Sequence, residues 1–280
     1  MNIDAIARRA EIIRSIRGFF DGSGFVEVET DSVIAAPAPE EHIDCPRLES
    51  GEFLRASPEL QMKKLLAAGM ERIYQIGPCF REGERGDRHR PEFTMMEWYR
   101  SGATYMDIRR DMEDVMRLFR PDMEFETLSV RDAYRRFAGW DPWEGVWDQD
   151  RFDLDMANAV EPAICAAGPG VFLCDYPPQA ASLAKVSVAG GVPFAERWEF
   201  YLDGVELANC FSELCDGEEQ ARRFEKSRAA RKLLGEADYP IDREFLVAVS
   251  RIGMAAGVAL GIDRLVMALT GEKSISSVRA

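Results

Sequence analysis

Apolar residues at Ile6, Ile12, Ile13, Ile16, Phe19 and Phe20 recur at helical spacing and the run stops at Gly22 and Gly24, so residues 4–22 are predicted to form an amphipathic helix. A strand, FVEVET, follows, then a Pro-rich loop at 35–46 and a short strand at 53–56. Residues 58–68 read as a helix with Pro58 in its favoured first turn, and 72–77 as a strand. In FREGERGDRHRPEFTMMEWYR, residues 79–81 and 92–99 suit a pleated surface, while GERGDRHRP between them is rich in turn formers. A hairpin with a long basic tip is the prediction. A helix over 105–120 comes next; 121–175 reads as two or three short helices packed by Trp140, Trp143 and Trp147, with no chemistry in them. Near the C-terminus, GVALGIDRLVMALTG predicts a short strand at 257–262 and a helix that opens at Asp263 as N-cap and stops at Gly271. Arg264 then lies in the first turn, beside glycines that let a flat ligand approach, and a guanidinium there can stack on a purine.

The segment RWEFYLDGVELANCFSEL is the most informative about geometry. Asp203-Gly204 is a two-residue hairpin turn of the primed type, which pairs Leu202 with Val205, Tyr201 with Glu206 and Glu199 with Ala208. Glu199 and Glu206 become diagonal neighbours on one face, placed to share a divalent cation such as magnesium together with substrate phosphates. Asn209, Phe211 and Glu213 alternate on one face too, but with the opposite parity. For all five to reach one pocket, a bulge must fall at Leu207 or Ala208. Two exposed glutamates on a solvated hairpin are the plain alternative.

Composition narrows the function classes. The chain has 280 residues, enough to bury a large core, and its longest uncharged apolar stretch, 254–262, is too short to span a bilayer. A soluble cytoplasmic protein is expected, with no membrane partner. A net charge of -14 disfavours wrapping a polyphosphate backbone. The arginines at positions 8, 9, 14 and 17, and at 109, 110, 117 and 120, read as solvated helix faces rather than a nucleic-acid patch. The six cysteines have neither a CxxC pair nor a zinc-like spacing with His42 and His89, and read as reduced core thiols.

Taken in order, the first helix with GFVEVET, then FREGERGDRHRPEFTMMEWYR, then GVALGIDRLVM, resemble motifs one, two and three of the class II aminoacyl-tRNA synthetases. ASPELQMKKLL and ELANCFSEL resemble the lysine-pocket segments of the lysyl branch. Within it, the chain resembles most the shortened paralogues that act as elongation factor P lysine ligases: it starts directly at the motif-one helix, and Ser57 and Ala259 look like the ligase versions of those positions. The resemblance implies an α+β class II catalytic fold, a mainly antiparallel sheet flanked by helices. It implies one domain over 1–280 with a small helical insertion near 121–175 and no anticodon-binding domain.

By the same resemblance, ATP and magnesium would be used to activate lysine or (R)-beta-lysine as an adenylate, with transfer to a lysine side chain of elongation factor P. Arg81 would bridge the substrate carboxylate and the α-phosphate, Phe93 and Arg264 would sandwich the adenine, and Glu84 with His89 would close over the nucleotide. Glu199 and Glu206 would hold the metal. Glu59 would take the amino group near the carboxylate; Glu213 and Tyr99 would take the distal ammonium, and Ser57, Asn209, Phe211 and Ala259 would complete the pocket. A homodimer is implied, although Asp31 stands where motif one ends in Pro. His89-Arg90-Pro91-Glu92-Phe93, Asn209-Cys210-Phe211 and Gly83 also depart from the family pattern. Two other readings are a shortened synthetase that charges tRNA or another carrier, and a synthetase-like regulatory subunit without catalysis.

Overall fold

The computed structural model describes residues 2–168 and 170–279. Helix α1 (Ile3–Gly22) is capped by Asn2, whose side chain accepts from the Asp4 and Ala5 amides, and it buries Ile12, Ile16 and Phe20. Just past its Ser23 C-cap the chain turns at Gly24, whose φ of 76° a side chain would oppose. Of FVEVET only β1 (Val26–Glu27) is laddered; β2 (Val33–Ile34) and β3 (Phe53–Leu54) form a separate two-stranded sheet. Helix α2 (Glu59–Ala67) precedes the hairpin of β4 (Arg72–Phe80) and β5 (Glu92–Ser101), and α3 (Tyr105–Arg117) follows, opened by a Thr104–Asp107 capping box. The second half contains β6 (Glu126–Ser129), α4 (Val130–Ala133), α5 (Gln149–Asp155), α6 (Glu161–Ala167), β7 (Gly170–Tyr176), β8 (Val186–Ala189), β9 (Val192–Leu202) and β10 (Val205–Ser212). It closes with α7 (Gly217–Leu234), α8 (Arg243–Val249), β11 (Ala255–Gly261) and α9 (Ile262–Thr270).

Nine strands form one sheet in the order β1-β4-β5-β11-β10-β9-β7-β6, with β8 also on β9. Among the described residues only the outer pairs β1/β4 and β6/β7 are parallel, so the architecture is α+β with a mainly antiparallel sheet, as expected. Its middle strands come from the hairpins β4/β5 and β9/β10, with β11 between them. On one face α1, α3 and α9 cover a core in which Phe20 packs on Tyr74 and Trp98, and Phe172 on Trp198 and Phe200. Each such ring contributes roughly 1.5–3 kcal/mol through burial. The other side of the central strands is left to the site.

Two expectations change. Residues 121–175 do hold short helices, but β6 and β7 flank them and extend the main sheet. Asp263 is not an N-cap: Gly261 holds that position and Asp263 lies in the first turn of α9, 2% exposed. Its carboxylate turns inward, accepting from the Thr94 amide at 2.7 Å and pairing with Arg9 of α1 and with Arg279. Apart from Arg14, the arginines of the two runs are paired, among them Arg17 with Glu27, Arg109 with Glu113 and Arg120 with Asp203. All six cysteines are free thiols.

Asp263 therefore ties three distant segments together. Asp263→Asn leaves the Arg9 guanidinium without its counter-charge and Arg279 with Glu92 alone, and is expected to cost about 3 kcal/mol in urea unfolding. A loss below about 0.5 kcal/mol would show that the cluster is not structural.

Candidate active site

The strands β5, β10 and β11 floor a cavity of about 320 Å3. At one end lies Arg81, just beyond β4, with its guanidinium 5.1 Å over the Phe93 ring and Nη1 3.4 Å from Glu84. The β4/β5 register, Cys79 opposite Phe93, sets this stack. From the first turn of α9, Arg264 donates to the Glu206 carboxylate at 3.1 Å and to its carbonyl at 3.0 Å, and reaches His89 Nε2 at 2.6 Å. Burial and then the Arg264 charge lower the His89 pKa, which favours the neutral ring that can accept this bond. Two guanidiniums and two rings thus line this end, bordered by the Glu84 and Glu206 carboxylates.

The middle of the cavity is built by the β9/β10 hairpin. Asp203 (φ 48°) and Gly204 (φ 83°) both lie in the left-handed region, as a type I′ turn requires, and Leu202 faces Val205 while Tyr201 faces Glu206. Between Glu206 and Ala208 the register shifts, so Glu199 is opposite Asn209 instead of Ala208. Leu207 is the bulge. Glu199, Glu206, Asn209, Phe211 and Glu213 accordingly all line one cavity. Glu199 accepts from Arg197 at 2.5 Å and from the Tyr201 hydroxyl at 2.8 Å, which also reaches Glu161 of α6 at 3.2 Å. Burial, followed by repulsion from Glu199, raises the pKa of Glu206. Mutual repulsion of this kind suits a site that takes a cation.

The far end is acidic and enclosed. Glu97, on β5, is 1% exposed and accepts from Ser57 Oγ at 2.6 Å and from the Tyr99 hydroxyl at 2.7 Å. Burial, aided by Glu59, pushes its pKa up to about 7. Glu213, beyond β10, is driven by burial to about 8, although Lys63 pulls it down. Lys63 of α2 sits behind the wall with its ammonium 2.5 Å from Glu59 and against Glu213. Ala259 lines the same cavity; Gly257, which faces Tyr99 across the β5/β11 ladder, does so too.

The family model described as tRNA synthetases class II (D, K and N) matches residues 2–280. The chain belongs to that family. Among its curated relatives, the protein named "Elongation factor P--(R)-beta-lysine ligase" of Proteus mirabilis is 36% identical, with 100% of this chain and 95% of the relative covered. Proteins of the same name from Photorhabdus laumondii and Vibrio cholerae are 37% and 35% identical, covering 98% and 100% of this chain and 94% and 95% of their own length. These relatives carry the name of a ligase, and ATP use follows from the family.

Every site residue expected from the sequence, from Ser57 and Glu59 to Arg264, lies on the wall of this one cavity. Four contributors were not expected. Glu97 hides in EWYR, where its strand position gives no local hint of a buried charge; Lys63 looks like a solvated helix residue. Arg197 fixes both Glu199 and Asn209, at 2.5 and 3.2 Å, and Glu161 comes from the segment read as free of chemistry. Only alternation along β9, which puts Arg197 on the face of Glu199, carried a signal for one of them.

A Cβ built on Gly257 would lie 2.1 Å from Tyr99 Cδ1. Gly257→Ala is expected to displace the Tyr99 ring and lose about 2 kcal/mol of stability by overpacking, read as the urea midpoint. Wild-type stability would mean that Tyr99 has room to move and is not held against Glu97.

Proposed function

We propose that this enzyme condenses a lysine-type amino acid with ATP to an aminoacyl adenylate and pyrophosphate, then passes the acyl group to a lysine side chain of elongation factor P with release of AMP. The observation that carries the proposal is one cavity joining a cationic, aromatic end, Arg81, Phe93 and Arg264, to an enclosed acidic end, Glu59, Glu97 and Glu213. The names of the full-length relatives give the acceptor and the (R)-beta-lysine form of the substrate.

In this reading Arg81 bridges the amino-acid carboxylate and the α-phosphate, since its fork donates to two oxyanions at once and holds them for in-line attack. Phe93 and Arg264 flank the adenine, with Glu84 and His89 over the nucleotide. At the acidic end Glu59 receives the amino group near the carboxylate, and Glu213 with Tyr99 and Glu97 receives the distal ammonium, while Ser57, Asn209, Phe211 and Ala259 shape the walls. An analogue without the distal ammonium would leave buried carboxylates unpaired and be rejected.

Among the described residues, no three His, Cys, Asp or Glu side chains group as a metal cage. The two mutually repelling carboxylates Glu199 and Glu206 nevertheless fit magnesium shared with phosphate oxygens, the usual way this ion is held. Bound there, magnesium supplies charge neutralisation at the phosphates. A protein acceptor rather than tRNA is supported by the net charge of -14 and by the paired state of the helix arginines. The enzyme works in the cytoplasm as a homodimer through its motif-one face, where Val26 and Val33 are exposed beside Asp31; a monomer mass by light scattering would remove the dimer.

ATP-pyrophosphate exchange with lysine and (R)-beta-lysine, followed by transfer to elongation factor P and to tRNA, tests the proposal. Exchange and labelling of the factor are expected, with Glu213→Gln lowering exchange about 100-fold or more while ATP still binds. Absence of exchange, or labelling of tRNA alone, would refute it.

A further inference from the structure

The acidic end contains a cation of its own. Lys63 is 1% exposed and its ammonium bridges Glu59 and Glu213, two carboxylates from α2 and from the end of β10 that both face the cavity. Lys63 itself does not reach the cavity wall. Its neighbour Lys64 behaves as a helix lysine ordinarily does, pairing with Asp242 near the surface. Burying an ammonium between carboxylates is costly, and an apolar residue would serve stability as well or better. The bridge therefore calls for a different explanation.

We propose that Lys63 is a positioning residue that sets the charge of the amino-acid pocket, so that it is complementary to a substrate with two ammonium groups. Glu59, Glu97 and Glu213 carry three negative charges when ionised, and Lys63 leaves two, the number of ammonium groups on a lysine-type amino acid; Glu40, on the same wall, is faced by Arg81 and Arg197. Lys63 also holds Glu59 and Glu213 from behind, leaving each an oxygen for substrate. The inference rests on the lysine-type reading above and adds to it the origin of the selectivity for two ammonium groups.

The electrostatics of the pocket agree with that arrangement. Burial opposes the charge on Lys63, but Glu213 and Glu59 more than offset it and hold its pKa above the ordinary lysine value. Facing this bridge are Glu97 and Tyr99 from β5, Glu40 from the 35–46 loop and Cys215 from the segment before α7. The Tyr99 and Cys215 pKa values are raised by burial and by the nearby carboxylates, so neither adds a charge at neutral pH. Glu213, at about 8 with Lys63 present, would rise further without it. An ammonium binds the ionised carboxylate, so KM for lysine falls as pH rises through that range, and removing Lys63 moves the fall to higher pH.

The test is ATP-pyrophosphate exchange by the full chain between pH 6 and 9.5, with lysine and with norleucine, its analogue lacking the distal ammonium. Lys63→Met is expected to raise KM for lysine at least about tenfold at pH 7, leave KM for ATP within about twofold, and move the pH midpoint of KM upward by about one unit or more. Lys63→Arg keeps the charge and is expected to keep the wild-type midpoint, and Lys63→Gln is expected to shift it as Met does. An unmoved midpoint in Met or Gln, or a midpoint in Arg that moves as far, would overturn the inference. If Met and Gln fail to fold, the Arg midpoint decides. Loss of lysine-dependent exchange in the wild type would sink the lysine reading itself, whereas wild-type exchange with an unmoved midpoint sinks only the role of Lys63.

Discussion

One extra residue in β10 decides what this site can be. Were the β9/β10 ladder regular, Glu206 would face the opposite side of the sheet from Asn209, Phe211 and Glu213, and no cavity could hold both groups. The bulge at Leu207 brings Glu199 opposite Asn209 and turns both sets inward. Everything around it depends on that shift: Arg264 reaches Glu206 from α9, Arg197 spans Glu199 and Asn209, and Lys63 reaches Glu213 from α2. The tight turn at Asp203-Gly204 fixes where counting starts, so a two-residue turn and a single bulge together set the register of the whole pocket.

The site also divides its electrostatic work by place. At the end formed by Arg81 and Arg264 the charges are partly open, which suits a substrate that brings its own phosphates. At the other end they are buried, where an unpaired charge is costly and discrimination correspondingly strong. Glu97 shows the balance: burial raises its pKa to about 7, while bonds from Ser57 and Tyr99 oppose the rise. A carboxylate poised there can be neutral when empty and ionised against an ammonium. The rigid ladder of β5, β11 and β10 holds both ends in one frame.

Much of this was legible in the sequence wherever the signal was local. The Asp-Gly turn, the parity conflict between Glu206 and Asn209, and the basic hairpin tip each follow from spacing over a few residues. Features that depend on distant partners were not legible. Asp263 has the look of an N-cap because its role is set by Arg9, far away in the chain, and by Arg279. Lys63 and Glu97 sit in segments whose patterns describe an ordinary helix and an ordinary strand; only the packing of α2 against the sheet reveals that both are buried. Strand β6 is short and polar, and β7 is a continuous apolar run that periodicity alone cannot tell from a helix.

In the proposed function, one bulged hairpin unites an adenylate site with a lysine pocket. A crystal structure with a non-hydrolysable lysyl-adenylate analogue tests it most directly. The adenine is expected against Phe93 and Arg264, the phosphate mimic at Arg81, and the distal ammonium bonded to Glu213 and Tyr99. An amino-acid chain pointing away from Glu213, or an adenine bound away from Phe93 and Arg264, would contradict it.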